Sequence, residues 1–293
     1  MKKYLYIIVI ATIIGSTSCE DPITVDNGFE ASQIVVDAWI TNEGGQQIIE
    51  VNESQDYFDN RLPTGITNAV VTVTNGVQVF NFIHVTEGKY AWTPPTVGET
   101  VGNVGDEFSL KIQINDRILT SSTQLNRVAE IDSISIYFED EAFGADDGFF
   151  AELYARDLPG QGDTYWVKSY RNDTLLNRPQ ELNIVYDATF DAGTNIDGTT
   201  FIRPLRFAIN AIDDDGLPRD LKQGDKVKCE IYSISNAAFR FLQIVQEQTT
   251  NGDNSIFALP VANSRGNIRD ENGGLVLGVF NVAAVSRDEA ILN

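Results

Sequence analysis

Apolar and polar residues alternate along much of the chain, in short runs that turn residues separate. Four of these runs are residues 34–40, 69–74, 77–83 and 108–114. Alternation with a period of two places every second side chain on the same face, which is typical of strands with one buried face. Turn residues such as Asn75-Gly76 stand between the runs and favour tight connections. We therefore predict an immunoglobulin-like β-sandwich in residues 31–124.

The rest of the chain, residues 125–293, continues the alternating pattern. Predicted strands there are residues 131–138, 149–154, 164–170, 183–186, 205–212, 226–234, 275–280 and 282–285. The sequence contains no fixed-period repeat and no proline-rich linker, which argues against a solenoid. The pattern predicts a second β-sandwich.

One segment, residues 236–249, has the periodicity of a helix instead. Its apolar residues recur at helical spacing and predict one apolar stripe, made of Ala238, Phe241, Leu242 and Val245. Ser235 or Asn236 can serve as the N-cap, and Asn251-Gly252 favours the end of the helix. The predicted fold class is therefore mainly β, with two β-sandwich units and one α-helix inserted in the second.

The first 19 residues have the order of parts found in a secretory signal. Lys2-Lys3 precede an apolar run over residues 4–14, and Gly15-Ser16-Thr17-Ser18-Cys19 follows it. The apolar run is shorter than the ~20 residues that a helix needs to cross a bilayer, so it indicates a cleaved signal. The last five residues resemble the lipobox of bacterial lipoproteins. That resemblance implies that residues 1–18 are removed and that Cys19 is the lipid attachment residue.

Lipid attachment predicts that the mature chain contacts a membrane through its acyl chains, each buried CH₂ contributing about 0.8 kcal/mol. Residues 19–30 then form a lipidated linker. Glu20-Asp21 resemble the surface-export signal of some outer-membrane lipoproteins, although a solvated linker explains the same residues. The periplasmic and the surface face of the outer membrane therefore both stay open. An ordinary signal peptide with a chance cysteine is the alternative to lipidation.

Charge limits the classes of partner. The chain has 21 basic and 42 acidic residues, a net charge of -21. Nucleic-acid phosphates require a basic protein surface, and electrostatic binding to anionic lipid requires a cluster of basic residues. The acidic excess argues against both. We therefore predict no nucleic-acid partner.

Neither Cys229 nor His84 predicts catalysis. Once Cys19 is acylated, Cys229 has no disulfide partner, and its place between Val227 and Ile231 predicts a buried core thiol. A reactive thiol is the alternative. His84 is the single histidine and lies on the polar face of a predicted strand. It has no partner at metal-ligand spacing, and the sequence contains no Gly-x-Ser-x-Gly motif.

Two acidic clusters offer oxygen atoms that Ca²⁺ prefers. One combines residues 139–141 with Asp146-Asp147, and the other is residues 213–215, which Gly216 follows. Neither matches the EF-hand pattern, so we interpret both as solvated loops, with Ca²⁺ binding as the alternative. No metal and no cofactor is predicted.

Trp92 is the predicted ligand-binding residue. It lies just before Pro94-Pro95, at the predicted end of a strand, where an exposed ring can stack on a sugar or a peptide. Trp39 and Trp166 alternate with apolar neighbours and are predicted to lie in the core. The sequence contains no phosphate-binding glycine loop, which argues against nucleotide binding.

Segments across nearly the whole mature chain resemble the bacterial outer-membrane lipoprotein family known as domain of unknown function 4249. These segments are residues 34–42, 57–60, 69–73, 224–227, 230–235, 260–263, 267–268 and 273–280. The resemblance implies a cell-envelope lipoprotein, often encoded beside a TonB-dependent outer-membrane transporter. It implies no established activity and supplies no catalytic residues.

We therefore predict a non-enzymatic outer-membrane lipoprotein that serves as an accessory or ligand-binding partner of a TonB-dependent transporter. A surface structural or adhesive module is the first alternative. An envelope hydrolase with an unrecognised site is the second. Paired carboxylates can hydrolyse a glycoside, but among 42 acidic residues such pairs arise by chance and do not indicate this activity.

Overall fold

Strands dominate the structure, a computed structural model that describes residues 32–55, 59, 61–144, 146–190, 196–250 and 265–293. The strands are β1 Ile34–Thr41, β2 Gln47–Glu53, β3 Val70–Thr74, β4 Val79–Thr86, β5 Lys89–Trp92, β6 Glu107–Ile114, β7 Arg117–Gln124, β8 Ile131–Glu139, β9 Gly148–Ala155, β10 Thr164–Arg171, β11 Thr174–Leu175, β12 Asn183–Tyr186, β13 Lys226–Ile234, β14 Arg269–Asp270, β15 Val276–Ala283 and β16 Val285–Ile291. The helices are α1 Arg203–Phe207 and α2 Asn236–Thr250. The prediction of a mainly β fold is confirmed.

The largest sheet has nine strands in the order β14-β7-β6-β3-β4-β5-β2-β1-β15. Strand β4 pairs with β3 through its first half and with β5 through its second half, so it connects two parts of the sheet. The inward side chains of both parts share one hydrophobic core, which includes Phe80, Phe108 and Ile112. Alternation in β6 explains this arrangement, since Phe108, Leu110 and Ile112 are buried while the residues between them are exposed.

The C-terminal part of the chain completes this sheet. Strand β15 pairs in parallel with β1 along its whole length, and β14 pairs with β7. The nine-stranded sheet therefore contains strands from both sides of the predicted division at residues 124 and 125. That division, the two-sandwich arrangement and the immunoglobulin-like description stay predictions.

A second sheet has the order β11-β10-β13-β16, with β12 also paired to β10, and β8 and β9 form a separate antiparallel pair. Tyr165, Phe201 and Ile231 lie in the core beside these strands. The helix predicted at residues 236–249 is confirmed as α2. Its buried residues are Ala238, Phe239 and Leu242, so Phe239 belongs to the buried face, where its ring lies 5.7 Å from that of Tyr186.

The strand predicted at residues 205–212 is wrong, because α1 and a turn occupy this segment. Pro204 stands in the first turn of α1, where its fixed φ suits a helix and its missing N–H is not needed. Leu205 and Phe207 are buried, as the alternation indicated, but on a helix. Asn210 closes the segment, since its side-chain amide donates to the Phe207 carbonyl at 2.7 Å.

The last two predicted strands also differ from those observed. Strand β15 runs through residues 276–283 without the expected break, and Val285 begins β16 in the other sheet. Among the described residues, none of the helices is long and apolar enough to span a bilayer.

Candidate functional site

An open groove of about 890 Å³ crosses the outer face of β3, β6 and β7. Strand alternation sends the large apolar side chains of these strands inward and leaves Thr, Ser and Lys side chains outside. The rest of the described lining comes from Val79 of β4, from Ala237 in the first turn of α2, and from Gly266, Asn267 and Arg269. The groove therefore combines a polar sheet face with a wall from the C-terminal part of the chain.

Strand register arranges the outer side chains of the groove in rows. Thr72 lies opposite Lys111, Lys111 opposite Thr120, and Thr120 opposite Arg269. A second row contains Thr74, Ser109 and Ser122. Because neighbouring strands are about 4.8 Å apart, the backbones of Lys111 and Arg269 stand roughly 10 Å apart across Thr120.

No residue that the structure describes neutralises either cation in the first row. Lys111 and Arg269 are exposed, and neither forms an ion pair with any residue that the structure describes. Asp270, the neighbour of Arg269, is turned inward, where its Oδ2 accepts a hydrogen bond from Arg117 Nε at 2.7 Å. The groove is thus locally basic on a chain whose net charge is -21.

Several hydroxyl groups in the groove are available to a ligand. Those of Ser109, Thr120 and Ser122 make no hydrogen bond to the part of the chain that the structure describes. Thr72 and Thr74 donate to backbone carbonyls at 3.3 and 2.8 Å. The Thr72 oxygen can still accept, whereas Thr74 Oγ1 already accepts from the Gly76 N–H at 3.0 Å. The surface can therefore donate to and accept from a polar ligand.

A second cluster contains aromatic rings and a lysine between β1, β10 and β13. The Trp39 and Trp166 rings have centroids 5.0 Å apart, and Lys168 Nζ lies 4.0 Å from the Trp166 centroid and 4.2 Å from that of Tyr232. Burial lowers the pKa of Lys168, against the opposite effect of Glu230 and Asp37. Both tryptophans are partly buried, and the cluster fills the contact between the two sheets.

Two buried carboxylates are held by hydrogen bonds between elements. Burial opposes ionisation of Glu152, but hydrogen bonds from Tyr137 and Arg203, at 2.7 and 2.9 Å, help to lower its pKa. Glu230 is held similarly, because Tyr232, Lys228 and Tyr170 donate to it and lower its pKa against the effect of burial. In these positions the carboxylates join neighbouring strands and, through Arg203, fix α1 on β9.

The expected exposure of Trp92 is wrong, which removes the physical basis for its predicted role as a ligand-binding residue. Only 8% of Trp92 is exposed, and its ring meets that of Phe80 edge-on with centroids 5.0 Å apart. The physical reason is the position of β5 between β4 and β2. Trp92 lies on the same face as Tyr90, which is the face toward the core.

The predicted core position of Cys229 is confirmed. Cys229 is fully buried, free of any disulfide, and its Sγ lies 3.9 Å from Ser169 Oγ. Burial raises the pKa of this thiol to about 12. His84 is exposed on β4, as the strand pattern predicted, with its ring centroid 5.3 Å from that of Tyr90.

Most residues of the acidic clusters lie in loops, although Glu139 ends β8 and pairs with Arg203, and Asp214 pairs with Arg178. Asp213 Oδ1 accepts hydrogen bonds from the backbone N–H groups of Asp215 and Leu217. Asp147 Oδ1 accepts one from the Glu141 N–H at 3.1 Å. Among the described residues, no group of three His, Cys, Asp or Glu side chains is placed to hold a metal ion.

Other sequence predictions lie outside the described residues. These are the signal at residues 1–18, Cys19, Glu20-Asp21, most of residues 57–60, Asn251-Gly252 and residues 260–263. Sequence reasoning missed Lys111, Thr120 and Arg269 as site residues. The hydroxyl run at residues 120–123 was the available signal, but only strand register shows which residues share a row.

The chain belongs to the family described as a domain of unknown function (DUF4249), whose model matches residues 20–289. This match confirms the family resemblance. A comparison with curated proteins finds no match.

Proposed function

We propose that this protein is a non-enzymatic cell-envelope lipoprotein that binds a ligand and serves as an accessory partner of a TonB-dependent transporter. The groove over β3, β6 and β7 is the observation that carries the proposal. It presents to solvent hydroxyl groups and two cations that have no partner among the described residues, which are groups suited to holding a polar ligand. The buried carboxylates, in contrast, are engaged in contacts between strands.

Attachment to the outer membrane through Cys19 is part of the proposal. Its support is the order of residues 2–19, in which basic, apolar and small residues precede a cysteine. Several acyl chains at one residue hold a protein stably on a bilayer. The described residues begin after this segment, so the support for the anchor comes from the sequence alone.

The transporter partnership rests on the family resemblance, which implies that such lipoproteins are often encoded beside TonB-dependent transporters. Purification of the native lipoprotein from a mild-detergent envelope extract, followed by mass spectrometry, tests it directly. We expect one TonB-dependent transporter at close to equal amounts. A Cys19→Ala variant is the matched control, since it should lose both the acyl chains and membrane retention.

Other outcomes decide against the proposal. Recovery of no transporter under these conditions contradicts a stable partnership and favours a structural or adhesive module. Hydrolysis of an envelope polymer that a single Asp or Glu substitution abolishes, with the fold retained, contradicts the non-enzymatic part.

A further inference from the structure

We infer that the groove over β3, β6 and β7 binds a glycan that carries carboxylate or sulfate groups, with Lys111 and Arg269 as its anion contacts. This inference rests on the proposed function, because it assigns a ligand class to the same groove. Three features of the groove support it: the charge of the row, the chemistry of the hydroxyl groups and the openness of the site.

The charge of the row favours a ligand with well-separated anions. Lys111 and Arg269 are exposed, point from the same sheet face and flank Thr120 in one register row. Their backbones are roughly two strand spacings, about 10 Å, apart. The acidic excess of the whole chain would repel a densely charged polyanion. Two well-separated anions, in contrast, can each pair with one of the two cations.

Because Asp270 points inward, it does not neutralise the positive charge of Arg269. Asp270 is 8% exposed and is held by Arg117 Nε at 2.7 Å and by the Asn272 N–H at 2.8 Å. Its carboxylate is therefore committed to the inner side of β14 and is not in contact with Arg269. In the part of the chain that the structure describes, no carboxylate pairs with the exposed Arg269 guanidinium, so an anion of a ligand can do so.

The hydroxyl groups favour a glycan over a simple anion. Ser109, Thr120 and Ser122 lie beside the cations in two adjacent rows, and their hydroxyls are unengaged among the described residues. Each can donate and accept one or more hydrogen bonds, which matches the hydroxyl groups of a sugar chain. The groove is open and extends over three strands, so an extended chain can lie along it.

Binding is measured by isothermal titration calorimetry on the full mature lipoprotein in detergent. The probes are a hyaluronan hexasaccharide and a κ-carrageenan hexasaccharide, which carry one carboxylate or one sulfate on every second sugar, together with neutral maltohexaose and inorganic sulfate. We expect at least one charged hexasaccharide to bind, with affinity that falls as salt increases. Maltohexaose and sulfate should bind at least about tenfold more weakly, because each supplies only one part of the recognition.

Substitutions identify the contacts. Lys111→Gln and Arg269→Gln should each weaken binding of the charged hexasaccharide about tenfold, as expected for loss of a charge-assisted hydrogen bond. Thr120→Val should weaken it severalfold and leave the salt dependence unchanged. Arg219→Gln is the matched control, since Arg219 is exposed and unpaired in the described part of the chain, and lies outside the groove lining.

Three results overturn the inference. The first is that no charged hexasaccharide binds, and the second is that maltohexaose or sulfate binds as tightly as a charged hexasaccharide. The third is that the double variant Lys111→Gln/Arg269→Gln binds the charged hexasaccharide as tightly as the unmodified protein. Urea unfolding of each variant shows that it is folded. A transporter that co-purifies without glycan binding contradicts the ligand class and leaves the proposed partnership standing. Glycan binding without a transporter contradicts the partnership and leaves the ligand class standing.

Discussion

Arg117 and Asp270 form an ion pair that joins residues far apart in the sequence. Arg117 Nε on β7 lies 2.7 Å from Asp270 Oδ2 on β14, and the Asp270 side chain is only 1% exposed. Burial favours the neutral acid, but hydrogen bonds from Asn272 and Arg117 outweigh it and lower the pKa of Asp270. The pair secures the edge strand of the nine-stranded sheet and directs Arg269 to the groove.

Replacing Arg117 by Leu should destabilise the protein by about 3 kcal/mol, because it leaves a buried carboxylate without its cation. The measurement is the free energy of unfolding from urea titration. An Arg219→Leu variant serves as control and should change stability by less than about 0.5 kcal/mol, since Arg219 is exposed and unpaired among the described residues. A loss below about 0.5 kcal/mol for Arg117→Leu contradicts a stabilising role of the pair.

Asp225 should make stability depend on acid pH. Burial opposes its ionisation, but hydrogen bonds from Asn172, the Lys222 N–H and Arg171 lower its pKa to about 2. The unfolded chain binds this proton near pH 3.9. The stability that Asp225 contributes is therefore complete above about pH 4 and is lost as the pH falls toward 2.

The urea midpoint of the unmodified protein and of Asp225→Asn, measured between pH 6 and 3, tests this dependence. The difference between the two proteins should be largest at pH 6 and should shrink toward pH 3. Asp146→Asn, at an exposed loop position, is the control and should not change the profile. A constant difference between the two proteins at every pH would show that Asp225 acts without its charge.

Cys229 should be inert in the folded protein. Its thiol is fully buried, and burial raises its pKa to about 12. At pH 8 the thiol is therefore neither accessible to a reagent nor ionised to the thiolate. In a Cys19→Ser variant, a disulfide reagent should label Cys229 only after urea is added. Rapid labelling of the native variant would establish the reactive thiol as the correct alternative.

A pattern with a period of two was sufficient to predict a strand where the burial of alternate side chains follows the same pattern. Residues 108–114 became β6 because burial of alternate residues satisfies both the strand and the core. At residues 205–212 the same alternation misled, since Pro204 favours a helix start and Leu205 and Phe207 can be buried from a helix as well. Local pattern does not distinguish these two outcomes.

The groove could not be predicted from the sequence, for a different reason. Lys111, Thr120 and Arg269 share a row only because β14 pairs with β7 in one particular register. A shift of one residue would turn Arg269 inward and Asp270 outward. Long-range pairing, which the sequence pattern does not contain, therefore determines which cations face the ligand.

Trp92 offers a direct optical test of the core. A Trp39→Phe/Trp166→Phe variant leaves Trp92 as the single tryptophan, since the chain has 3. The burial of its ring against Phe80 predicts emission at short wavelength and weak quenching by acrylamide. Trp92→Ala should in addition destabilise the protein by about 3–5 kcal/mol in urea titration, through the cavity that it creates.

The matched control is Trp92→Phe, which keeps an aromatic ring in the core and should recover more than half of the stability that Trp92→Ala loses. Because Trp92 lies outside the groove, Trp92→Phe should also bind the charged hexasaccharide as tightly as the unmodified protein. Strong acrylamide quenching, or a loss of binding without a loss of stability, would return Trp92 to the role of an exposed ligand contact.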